Sequence, residues 1–146
     1  MEQQTSNIAP LTTQLKQKTQ QLMDQVVAII GQEQADLLFK SIKRPDETST
    51  LRERLTTIEG KTQAIGLQHK LNNNDRDHLM NSVQQLVRLT TGDKEQIKMV
   101  AAKDNIDIYY LNNHDDAKHI SQELISMINI NKKNISLKTK NIGISR

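Results

Sequence analysis

Leu51, Leu55, Ile58, Thr62, Ile65, His69, Asn72, Arg76, Leu79, Val83, Leu86 and Thr90 succeed one another by alternating steps of four and three. That spacing lines side chains along one narrow stripe of a helix, the width that one helix presents to another. Thr50-Leu51-Arg52-Glu53 precedes the stripe with capping-box spacing. The Thr50 hydroxyl can accept from the Glu53 N–H while the Glu53 carboxylate reaches back, so a helix is predicted from Leu51. Its end has two readings. Gly60, Gly66 and the run Asn72-Asn73-Asn74 weaken a continuous helix, each Gly by about 1 kcal/mol relative to Ala. Asp75 would then cap a second helix reaching Thr91, with Gly92 as its stop. One continuous helix would instead keep the phase and carry His69, Asn72 and Arg76 as polar layers that fix register. The two-helix reading is preferred.

Upstream, residues 1–10 are polar, include Pro10, and read as a flexible N-terminal arm. Leu11, Leu15, Leu22, Met23, Val26, Ile29 and Ile30 then share one side of a helical wheel. After Gly31 the stripe moves, with Ala35, Leu38, Phe39 and Ile42 on the opposite side, so Gly31 marks either a break or a helix whose two halves bury different faces. Lys43-Arg44-Pro45-Asp46 closes that unit. Residues 11–92 thus form a helical hairpin or bundle.

Residues 93–130 continue with helices. Asp93–Lys103 sets Ile97, Val100 and Ala101 on one face, and a helix ending near Asn129 buries Ala117, Ile120, Leu124, Met127 and Ile128. Between them, residues 105–111 alternate Ile106, Ile108 and Tyr110 with Asp107 and Tyr109, the pattern of a short strand. Ile135, Leu137, Ile142 and Ile144 alternate similarly and offer a weak pairing partner. The expected fold is mainly α, a hairpin or bundle with a coiled-coil-like heptad seam, with room for a small C-terminal α/β element.

Composition sharpens this picture in one respect. Apolar residues make up 35 % of the chain and the only aromatics are Phe39, Tyr109 and Tyr110, so the core is thin for 146 residues. Long helices with polar outer faces suit such a mixture and often complete their core with a second chain. Charge is uneven. Lys132, Lys133, Lys138, Lys140 and Arg146 occupy residues 131–146 without an acid, leaving fifteen basic against seventeen acidic residues in the body. This basic tail reads first as a solvated, disordered segment and second as the candidate contact for nucleic acid, although it holds no aromatic to stack on bases.

Candidate chemistry is sparse. The chain has no Cys, which removes thiol catalysis, disulfides and Cys-based metal sites. His69, His78, His114 and His119 lack the neighbours that complete a metal shell, and surface positions explain them better. Asp104, Asp107, Asp115 and Asp116 flank the strand candidate but have no phosphate-cradling glycines beside them; they read as loop and capping acids. No catalytic residue, cofactor or metal is expected. No apolar run approaches a membrane span, and the first ten residues lack a signal-peptide pattern, so a cytoplasmic protein is expected.

These readings converge on a non-enzymatic protein–protein interaction module: an adaptor, regulator, inhibitor or chaperone-like accessory. Its expected interface or core anchors are Leu51, Leu55, Ile58, Ile65, Leu79, Val83 and Leu86, buried against a second copy or a partner's helices. A small nucleic-acid-binding regulator using the tail, and a secreted effector, are the alternatives.

Overall fold

The computed structural model describes residues 2–42, 50–108 and 111–144, with side chains for 9–42, 50–108 and 111–129. Six helices run in the order α1 (Glu2–Ile30), α2 (Gln32–Lys40), α3 (Leu51–Gln68), α4 (Asn73–Leu89), α5 (Lys94–Lys103) and α6 (His114–Ile144), with no strand among the described residues.

The boundaries follow local chemistry. The capping box at the start of α3 is formed: the Glu53 N–H donates to Thr50 Oγ1 at 3.1 Å, and the Thr50 N–H donates to Glu53 Oε1 at 3.1 Å. Gly31 separates α1 from α2 with φ 84°, a left-handed value that costs glycine little, and the chain turns there. α3 closes in a Schellman motif. Lys70 takes φ 54°, its N–H bonds the Leu67 carbonyl at 3.1 Å, and the Leu71 N–H bonds that of Gly66 at 3.1 Å. Asn72 then caps α4 by accepting from the Asp75 N–H at 2.8 Å, so the cap lies three residues before the expected one. The continuous-helix alternative is therefore corrected. Three consecutive polar positions of the stripe serve the turn: His69 ends α3, Asn72 starts α4, and Arg76 Nη2 donates to the Leu71 carbonyl at 3.3 Å.

Three further expectations change. The flexible arm over residues 1–10 is helical from Glu2, with exposed Pro10 inside α1, where it supplies no backbone N–H to the helix. The short strand over 105–111 is absent at its described residues. Asn105 takes φ 57° and ends α5 in a second Schellman motif, its N–H bonding the Ala102 carbonyl at 3.3 Å and the Ile106 N–H that of Ala101 at 3.0 Å. Ile106 and Ile108 rest half-buried on the core, so their alternation anchors a loop; Tyr109 and Tyr110 lie outside the described residues. The segment expected to pair with it continues α6 as far as Ile144, and no C-terminal α/β element forms among the described residues.

α1 and α4 form the central pair. α3 and α5 flank α4, while α2 and α6 flank α1. One apolar cluster joins all six helices, including Leu15 and Leu22 of α1, Phe39 of α2, Ile58 of α3, Leu86 of α4, Ile97 of α5 and Ile120 of α6. Each such side chain, fully withdrawn from water, contributes about 1.5–3 kcal/mol. The stripe closes on itself within this core: Ile58 and Ile65 of α3 and Leu79, Val83 and Leu86 of α4 are all buried. Its two buried threonines are satisfied along their own helices, Thr62 Oγ1 donating to the Ile58 carbonyl at 2.6 Å and Thr90 Oγ1 to that of Leu86 at 2.7 Å.

Polar links fix the helices' register. Ser82 Oγ of α4 donates to Gln25 Oε1 of α1 at 3.0 Å, and Gln84 Nε2 donates to Glu59 Oε1 of α3 at 2.9 Å. Ser121 of α6 reaches the end of α4, where its hydroxyl donates to the Leu89 carbonyl at 2.7 Å and accepts from the Gly92 N–H at 2.9 Å. No helix of the described residues is long and apolar enough to cross a membrane.

Candidate protein-docking groove

The anchors expected from the heptad stripe divide by burial. Ile58, Ile65, Leu79, Val83 and Leu86 lie inside the chain's own core, whereas Leu51 and Leu55 are half-buried at its margin. The fold brings all seven to one cluster, where they hold α3 against α4. Lys132, Lys133, Lys138 and Lys140 fall on the backbone of α6, with side chains outside the described part; Arg146 lies wholly outside the described residues.

The polar candidates do not converge. His69, His78 and His114 are exposed. His119 Nε2 approaches Glu123 Oε2 at 3.3 Å, and Glu123 is shared with Lys16 of α1 at 3.2 Å. Asp104 pairs with Lys18 at 2.7 Å, joining the end of α5 to α1. The Asp116 N–H donates to Asn113 Oδ1 at 2.8 Å, so Asn113 caps α6, and the Asp116 carboxylate accepts from Asn113 Nδ2 at 3.0 Å from within the first turn. Among the described residues, no three His, Asp or Glu side chains gather around a position that a metal ion could fill.

A different surface stands out. Leu37 of α2 is 51 % exposed although its neighbours Leu38 and Phe39 are buried. It borders an open groove of about 640 Å³ between α2 and α3. Gln34, Leu37, Leu38 and Ser41 line one wall, and Thr57, Lys61, Ala64, Ile65 and Gln68 line the other, with Lys40 beside them. Both walls are stripes at helical spacing, which keeps successive side chains on one face. The α3 wall runs from Thr57 to Gln68, eleven helical rises or about 17 Å at ~1.5 Å per residue. Leu38 and Ile65 form the buried floor, Leu37 and Ala64 the exposed apolar flanks, and none of the described lining residues is acidic.

Sequence reasoning does not reach this groove, because it depends on tertiary packing that sets α2 beside α3. The one local signal is Leu37 itself, an apolar residue set about 100° off the stripe that Leu38 follows. Compared with known proteins, the chain matches no family model, no curated protein and no solved structure at a significant level, so function is argued from residues and geometry.

Proposed function

We propose that this chain is a non-enzymatic helical interaction module whose docking surface is the groove between α2 and α3. In this reading the heptad stripe is the scaffold. Ile58, Ile65, Leu79, Val83 and Leu86 lock α3 to α4 and so hold one wall in place, while Leu51 and Leu55 are the part of the stripe left at the surface. The observation that carries the proposal is the half-exposed Leu37 at the lip of an apolar-floored groove. An open apolar concavity rimmed by polar side chains is the form that partner-binding surfaces take.

A photo-crosslinking amino acid in place of Leu37, expressed in the producing cell, tests this reading. It is expected to form one discrete protein adduct, whereas the same probe at exposed Met99 of α5 forms none. Absence of an adduct from Leu37, or the same adducts from both sites, overturns the proposal.

A further inference from the structure

We infer that the groove between α2 and α3 receives a short amphipathic helix with acidic flanks from a partner protein; this deepens the interaction reading above and rests on it. Charge is the first argument. Lys40 and Lys61 stand exposed on opposite walls, and no Asp or Glu is among the described residues that line the groove, so each wall presents one cation. A guest whose flanks carry Glu or Asp finds a cation on either hand, while a basic guest meets like charge. That disfavours this chain's own residues 131–146, with five basic residues and no acid, as the guest from a second copy.

Backbone chemistry is the second argument. An extended guest must pair its N–H and C=O groups, and both walls here are helices whose own backbone groups are already bonded along the helix. A helical guest brings its backbone bonds with it and needs only side-chain complementarity. Shape agrees. The α3 wall is long enough for about three turns of helix, and Ala64, the smallest side chain on that wall, leaves room for a large apolar anchor. The guest therefore carries apolar residues at i, i+4 and i+7, with acids on the two sides of that stripe.

Three labelled helical peptides of about twelve residues, the length that matches the wall, test the inference by fluorescence anisotropy. One has leucine anchors and Glu flanks, one the same anchors with Lys flanks, and one Glu flanks with Ala anchors. The first is expected to bind at least tenfold more tightly than the other two, with the advantage over the Lys-flanked peptide shrinking at high salt. Lys40→Glu with Lys61→Glu, both at exposed positions, should reverse the charge preference, and Ala64→Arg should abolish binding. Circular dichroism and light scattering accompany each variant to confirm an unchanged fold. Equal binding of acidic and basic peptides, or indifference to the Lys40/Lys61 reversal, overturns the acidic guest. So does concentration-dependent self-association that Ala64→Arg removes, which would make a second copy the occupant. If no peptide binds while the Leu37 probe still yields its adduct, the acidic helix is wrong and the interaction reading stands; loss of both removes the interaction reading as well.

Discussion

Replacing Ser121 by Ala removes the oxygen that bridges α6 to the end of α4. The Ser121 hydroxyl donates to the Leu89 carbonyl at 2.7 Å and accepts from the Gly92 N–H at 2.9 Å, and the residue is fully buried. It thereby joins α6 to the end of α4 at the point where Gly92, with φ 79°, turns the chain toward α5. Each bond contributes a net ~0.5–1.5 kcal/mol, and a buried backbone group left without its partner costs about 1–3 kcal/mol. Allowing for overlap between those two quantities, Ser121→Ala should destabilise by about 2–4 kcal/mol. In urea denaturation, at a mid-range slope of ~2 kcal/mol/M, the midpoint should fall by about 1–2 M at unchanged slope. Amide exchange at Gly92 should accelerate alongside. Ser126→Ala, an exposed site on the same helix, should stay within about 0.5 kcal/mol. A loss below that figure for Ser121→Ala, or equal losses for the two variants, would refute the view that this hydroxyl ties the helices together.

Other substitutions probe the remaining joints. Lys70→Gly should stabilise by about 0.5–1 kcal/mol in the same assay, because Lys70 occupies φ 54° in the α3–α4 turn and glycine adopts that conformation without the side-chain penalty. Thr50→Ala should cost about 1 kcal/mol through loss of the capping box on α3. Leu86→Ala, which opens a cavity among fully buried neighbours, should cost about 2–5 kcal/mol, whereas Leu67→Ala, at a residue 66 % exposed, should stay within about 0.5 kcal/mol by thermal or urea unfolding.

The heptad stripe was legible as a pairing surface, but its partner was not. A stripe in constant phase reads alike whether the helix is continuous or doubled back, because the turn at Lys70–Asn72 leaves both halves facing one core. The polar positions His69, Asn72 and Arg76 held the distinguishing signal, since three in succession are more than a register layer needs and suit a turn. The capping box and the buried face of α5 were legible from chemistry that acts within a few residues, and of the two readings of Gly31 the structure shows the break. Residues 105–111 misled because alternation records which side chains face the core, and a loop anchored by Ile106 and Ile108 alternates as a strand does. Strand formation also requires a second strand, and the segment that would have supplied it lies in α6. Asn105 marked the helix end, Asn being among the few residues that enter the left-handed region readily. The Ser121 bridge and the α2–α3 groove arise from tertiary placement across 29 or more residues and the turn at Gly31, which local pattern does not encode.

The central claim is that the heptad stripe is spent within the chain while the docking surface lies on α2 and α3. Hydrogen–deuterium exchange on the full chain, with and without saturating Glu-flanked, leucine-anchored peptide, tests it most directly. Added protection confined to residues 34–41 and 57–68 is the predicted result. Protection appearing instead along residues 79–90, with loosening of the α3–α4 hairpin, would make the stripe itself the binding face and contradict the account.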